Sequence, residues 1–171
     1  AIFAHGRVFD FGPTFRAEKS KTRRHLTEFW MMDAEMAFVD LDGNLDTQER
    51  LIRSMVQAVL EKNRAELEIL ERDIAPLENI SKPFHQLTHA EAVAKLKEMG
   101  SDIGERDDLG ADDETMLTKA YDNPIFITRY PAEVKAFYMK RDPNDETRVL
   151  GADLLAPEGY GEIIGGSQRE E

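Results

Sequence analysis

The order of apolar patterns along the chain constrains its fold more than any other feature. Two aromatic-rich stretches come first, "IFAHGRVFDFGPTFRAE" and "EFWMMDAEMAFVDL". Both read as strands, the first bent or at an edge because Gly12-Pro13 interrupts it. A helical stripe follows: Leu51, Ile52, Met55, Val56, Val59 and Leu60, continued by Leu67, Leu70 and Ile74 as far as Pro76. After Asn123-Pro124 the texture is strand-like again, in "IFITRY", "KAFYMK", "TRVLGADLLAP" and "GYGEIIGGSQR". A strand pair, then helices, then strands without βαβ alternation predicts an α+β fold with a mostly antiparallel or mixed sheet flanked by helices.

Local signals set expected boundaries. Asp46-Thr47-Gln48-Glu49 has capping-box spacing and predicts the start of the long helix. Thr88 with Glu91 predicts a second helix to Met99, ended by Gly100, and a short helix is expected over 114–121. Asp142-Pro143-Asn144-Asp145 is a strong turn signal. The acidic run 107–114 reads as a solvated loop.

The chain has 171 residues, 41% of them hydrophobic, enough for one domain with a real core. It has no Cys, so disulfides and thiolate metal sites are out of reach. No apolar run approaches the ~18 residues of a membrane span, and a cytoplasmic protein is the default expectation. The opening reads as mid-strand and "GGSQREE" stops without a closing element, so a piece of a longer protein is expected. A net charge of −12 disfavours broad nucleic-acid binding. Against it stands a local basic run: Arg16, Lys19, Lys21, Arg23 and Arg24 against Glu18 leave +4 over residues 16–25, with His25 neutral.

That run suits an anion. A guanidinium at a strand end gives fixed bidentate geometry for phosphate, and loop lysines give looser attraction. Phe29 and Trp30, just beyond the loop, could offer a π face to a base. Charge runs are usually only solvated, and Phe29 could alternate into a core, so these residues alone leave both readings open. Asp153 and Glu162 are carboxylates on neighbouring expected strands, the donor type that holds Mg²⁺ with phosphate oxygens, although Glu162 alone reads as surface. Gly159, Gly161, Gly165 and Gly166 suit either close backbone approach or turns. Met31, Met32, Met36 and Met55 read as core. His5, His85 and His89 lack metal-ligand spacing and receive no role.

"FRAEKSKTRRHLTEF" resembles motif 2 of the class II aminoacyl-tRNA synthetases, most closely the asparaginyl/aspartyl subgroup, whose pattern is FRAE, a polar loop, then RHxxEF. The resemblance implies that Arg16 holds the ATP α-phosphate and its transition-state charge. It implies further that Glu18 contacts the adenine end, His25 approaches the γ-phosphate and Phe29 stacks on adenine. Lys19, Lys21, Arg23 and Arg24 would meet the acceptor end of tRNA(Asn), and Asp33 would lie near the substrate amino group. "GEIIGGSQRE" is similar to the segment before motif 3 and implies Asp153 and Glu162 as Mg²⁺ and ATP ligands, with Arg169 on the substrate side-chain oxygen. Gly165 stands where some aspartyl enzymes carry a metal-binding Ser. "YPAEVKAFYM" resembles the subgroup's YPxxxKxFYM and would place Lys135, Phe137 and Tyr138 along the substrate side.

The wording favours asparagine as substrate over aspartate, while Asp33 departs from the Glu expected of asparaginyl enzymes. The same motifs would also suit an ammonia-using asparagine synthetase paralogue or a non-catalytic tRNA-binding module. Under the resemblance, residues 1–171 are part of one catalytic domain. The anticodon-binding domain, motif 1 and motif 3 would lie outside it. The full-length enzyme would be a homodimer, and this segment alone would have little or no activity.

Overall fold

Alternation in the first 39 residues fits a two-sided hairpin, and a hairpin forms. The computed structural model describes residues 1–17 and 25–170, and the chain divides into two units, Ala1–Val39 and Asp40–Glu171. In the first unit a single turn of helix, α1 (Ile2–His5), replaces the expected strand start; Gly6 closes it with φ 72°. Then β1 (Arg7–Phe15) pairs antiparallel with β2 (Glu28–Met36), from Arg7 opposite Met36 to Phe15 opposite Glu28. Pro13 sits opposite Trp30, tolerated because both strands of a two-stranded sheet are edges.

The second unit opens with α2 (Leu41–Lys62), α3 (Arg64–Ile69), α4 (Ala75–Glu78) and a 3₁₀ turn, Asn79–Ser81. β3 (His85–Thr88) and α5 (His89–Glu98) follow, then α6 (Ala111–Thr118) and β4 (Ile125–Thr128). The hairpin β5 (Arg141–Asp142) and β6 (Asp145–Val149) leads to β7 (Gly151–Ala156) and β8 (Gly161–Ser167). The sheet order is β3-β4-β7-β8, parallel between β3 and β4 and antiparallel elsewhere. This is the expected α+β class.

Each face of that sheet buries its own core. Phe126, Ala152 and Leu154 pack with Leu41 and Leu45 of α2 and with Ile80 and Phe84. Ile125, Ile127 and Leu155 pack with Ala92, Val93 and Leu96 of α5, Leu117 of α6, Ile103, Tyr130 and Val149. All four residues of β4 are buried, which explains why "IFIT" is apolar without alternation.

Several boundaries differ from expectation, each for a local reason. The α2 helix starts before Asp46: the Asp40 carboxylate accepts from the Gly43 N–H at 2.9 Å, and Leu41 and Leu45 extend the buried stripe backwards. The helical run breaks at Asn63 (φ −122°) instead of continuing to Pro76. The α6 helix begins at Ala111, where the Asp113 carboxylate accepts from the Gly110 N–H, so half of the acidic run is helix and not loop. "KAFYMK" forms turns, with Val134 and Met139 N–H groups donating three residues back to Pro131 and Ala136. The methionines expected in the core are partly open: Met31 and Met36 are half-buried, and Met32 and Met55 are exposed. The capping box at Thr88/Glu91 and the turn at Asp142–Asp145 form as expected.

Candidate active site

The hairpin register sorts side chains cleanly. Thr14 faces Phe29, Gly12 faces Met31 and Asp10 faces Asp33 across the strands, and Arg16 extends the ladder by donating its N–H to the Thr27 carbonyl at 2.9 Å. Since alternate residues share a face, Arg16, Phe29, Met31 and Asp33 lie on one side. The Arg16 guanidinium stands 5.5 Å from the Phe29 ring centroid, and its Nη2 is 3.9 Å from the Met31 sulfur. Trp30 falls on the opposite face, its ring 5.2 Å from that of Phe11. Only one of the two candidate aromatic platforms therefore accompanies the arginine. Asp10 and Asp33 oppose each other directly, a like-charge pair that costs stability in a sheet and that a cationic group would relieve.

In the second unit a set of charges gathers on the α5/α6 side of the sheet. Asp153 is paired with Ile127 and Gly165, on the same face as Leu155. Strict alternation from Gly165 would send Glu162 to the other side. A bulge prevents this: Leu154 pairs with Ile164 but Leu155 with Glu162, so Ile163 is the extra residue and Glu162 rejoins the Asp153 face. Both carboxylates converge over Gly165, where an added Cβ would lie 2.7 Å from Glu162 Oε1 and 3.5 Å from Asp153 Oδ1.

Lys135 anchors this set. Its Nζ donates to Asp153 Oδ2 at 2.9 Å, approaches Asp108 Oδ1 at 3.2 Å, and sits 3.9 Å from the Tyr130 ring centroid. Burial disfavours the ammonium charge, but Asp153 and Asp108 outweigh it and raise the Lys135 pKa above the ordinary value. Burial, then Asp153, raise the Tyr130 phenol as well. Lost hydration of the carboxyl among its neighbours, followed by the charges of Asp153 and Glu114, pushes Glu162 up to about 7, with Lys135 opposing. Glu162 as a residue is exposed, and its N–H donates to Glu114 Oε2 at 3.1 Å. Two hard oxygen donors crowded over a glycine, one reluctant to ionise without a cation, fit a divalent ion held with phosphate oxygens.

The raised Glu162 value has a testable consequence. An acid whose folded pKa exceeds its unfolded one lends stability that is complete below about pH 4.5 and lost as pH climbs through about 7. Glu162→Gln, neutral at every pH, is expected to match the parent melting temperature near pH 4.5 and exceed it at pH 8 without added Mg²⁺. Parallel melting curves across that range would count against a raised Glu162 pKa.

A family model, tRNA synthetases class II (D, K and N), matches residues 1–171. The chain belongs to this synthetase family. The asparagine–tRNA ligase of Desulforamulus reducens is 57% identical over 169 residues, 99% of this chain and 39% of that protein. That of Pelotomaculum thermopropionicum is 55% identical over 166 residues. Among solved structures, asparaginyl-tRNA synthetase from Pyrococcus horikoshii complexed with asparaginyl-adenylate superimposes with a TM-score of 0.96 at 50% identity, covering 99% of this chain and 39% of that one. Aspartyl-tRNA synthetase from Entamoeba histolytica follows the same fold at 30% identity and TM-score 0.84. The chain thus spans about two-fifths of the length of the curated relatives it matches.

In this class II synthetase chain, the structure places the expected site residues unequally. Arg16, Phe29 and Asp33 share one face, and Asp153, Glu162 and Lys135 form one cluster. Arg169 follows β8, its guanidinium 4.3 Å over the Tyr138 ring. His25 is exposed at the hairpin end. Glu18, Lys19, Lys21, Arg23 and Arg24 lie outside the described residues. Phe137 and Tyr138 are not core aromatics: they are 97% and 41% exposed. A strand would have put Lys135 and Phe137 on one face, and the turns separate them. Sequence reading missed Asp108, Glu114 and Tyr130, hidden in an acidic run and after an apolar strand. The pairing of a Lys inside "YPAEVKAFYM" with two Asp far along the chain has no local signature. No helix among the described residues is long and apolar enough to cross a membrane.

Proposed function

We propose that the full-length protein bearing these residues is an asparagine–tRNA ligase, forming asparaginyl-adenylate from asparagine and ATP and transferring the asparaginyl group to tRNA(Asn). The observation that carries this reading is the hairpin face on which an arginine, an aromatic ring and a carboxylate stand in ladder register. The asparagine carboxylate attacks the α-phosphorus in line, an O–P bond forms, and pyrophosphate leaves with the electron pair of the broken P–O bond. Arg16 meets the charge growing on the α-phosphate oxygens, with a fork suited to two of them. Phe29 takes the adenine, Asp33 the substrate ammonium, and His25 the γ-phosphate side. Asp153 and Glu162 would hold Mg²⁺, which neutralises phosphate charge when bound. Arg169 takes the side-chain oxygen, and Glu18 the adenine end.

Lys19, Lys21, Arg23 and Arg24 serve the acceptor end of tRNA. Together with the retained ATP residues they support a charging enzyme over an asparagine synthetase paralogue or a non-catalytic module. The reading includes a cytoplasmic homodimer, with the anticodon-binding domain, motif 1 and motif 3 supplied by the rest of the enzyme.

Calorimetric titration of the full-length protein with non-hydrolysable asparaginyl- and aspartyl-adenylate analogues tests it. Preferential binding of the asparaginyl analogue is expected. Preference for the aspartyl analogue would make aspartate the substrate, and no binding of either would overturn the reading.

A further inference from the structure

His89 is fully buried at the first turn of α5, where the carboxyl ends of β3 and β4 adjoin. Both ring nitrogens are engaged. Nδ1 lies 3.3 Å from Arg148 Nη1, and Nε2 lies 2.8 Å from the Asp107 carbonyl oxygen. A guanidinium can only donate and a carbonyl can only accept, so the two partners require the neutral Nε2–H tautomer. Burial, followed by the Arg148 charge, lowers the pKa and agrees with that state. The ring also packs 5.0 Å from Tyr130. Arg148 is a fixed donor, because its strand is tied to the 130–132 segment: Val149 donates to the Tyr130 carbonyl at 3.0 Å and Ala132 to the Thr147 carbonyl at 2.9 Å.

The other partner leads to the carboxylate cluster. Residues 101–110 form neither helix nor strand, apart from a turn in which the Asp107 N–H donates to the Gly104 carbonyl and Asp107 Oδ2 accepts from the Gly104 N–H. His89 grips the carbonyl of that turn. The next residue, Asp108, is the second partner of Lys135, whose ammonium reaches Asp153. We propose that His89 is a positioning residue of the synthetase site: by clamping the Asp107 carbonyl against α5 it sets Asp108, which holds Lys135 on Asp153. This rests on the function proposed above, but the clamp itself is a statement about geometry. A histidine serving only as core filling would also need its ring nitrogens satisfied, but not by the carbonyl that adjoins Asp108.

The test uses the full-length protein. H89F keeps an aromatic ring beside Tyr130 and loses both hydrogen bonds. H89Q can donate to the Asp107 carbonyl and accept from Arg148. L154A, on the other face of the sheet, controls for lost stability. The readouts are kcat for asparagine-dependent ATP–pyrophosphate exchange and the ¹H–¹⁵N signal of the Lys135 ammonium, which pairing and burial protect from exchange. H89F is expected to lower kcat about tenfold and to shift or broaden the ammonium signal. H89Q should recover most of both, and L154A should leave the signal in place. In a D108N background H89F should add little, since the two act along one path. A parent-like kcat and ammonium signal in folded H89F, or the same signal loss in L154A, would overturn the proposal. Absence of exchange in the parent would defeat the ligase reading alone, and the ammonium signal would still decide the clamp.

Discussion

Arg16→Ala is expected to slow asparagine-dependent ATP–pyrophosphate exchange about 10²–10³-fold, the loss typical of removing one donor aimed at a developing oxyanion. The fall should appear in kcat of the full-length protein more than in its KM for asparagine, because under the proposed function the guanidinium acts where charge grows in the transition state. Arg16→Lys should recover only part of the rate: a point charge on a flexible stem does not reproduce a planar fork. Folding should hardly change. Arg16 is exposed, and its approaches to Phe29 and Met31 contribute at most about 1 kcal/mol. Pyrophosphate exchange and urea unfolding on the same variants separate the two effects. An Arg16→Ala protein with near-parental kcat would remove the hairpin face from the chemistry.

The second large effect concerns the sheet. Leu154 is fully buried and faces Leu41, Leu45, Phe126 and Ile164. Leu154→Ala is expected to cost about 2–5 kcal/mol, combining lost transfer energy with a cavity that the surrounding strands and α2 can close only in part. Urea denaturation should show a lower midpoint with little change in slope. Ile69→Ala, at an 81% exposed position, should stay within about 0.5 kcal/mol of the parent. Equal costs at the two sites would mean that the two-sided core is misassigned.

The two variants probe two units whose local order arises differently. The hairpin face depends on pairing between strands close in sequence, in a register that runs from Arg7 opposite Met36 to Phe15 opposite Glu28. The carboxylate face depends on strands β4, β7 and β8, a turn segment and two helices. Its geometry therefore depends on how the second unit brings these segments together in the native fold.

The sequence by itself determined what neighbouring residues can settle. Thr88 and Glu91 lie one helical turn apart, so their reciprocal hydrogen bonds form wherever that turn forms. Asp142-Pro143-Asn144-Asp145 turns the chain for equally local reasons. Arg16, Phe29 and Asp33 share a face because strand alternation has a period of two. The α+β class and the synthetase family were legible for the same reason: they are carried by short patterns at fixed spacing.

Tertiary structure alone decided the rest. The spacing of Glu162 and Gly165 predicts opposite faces, and only the partner strand shows that Ile163 is a bulge restoring Glu162 to Asp153. Lys135 is a charged residue in a turn until Asp108, Asp153 and Tyr130 surround it from three separate segments. The acidic run 107–114 reads as solvated because acidic runs usually are, yet its backbone and carboxylates meet His89, Lys135, Ser101 and Glu162. His89 has no metal-ligand neighbour to mark it in the sequence, and its partners lie 18 and 59 residues away. Burial and long-range pairing depend on which segments the sheet brings together, and no window of ten residues contains that information.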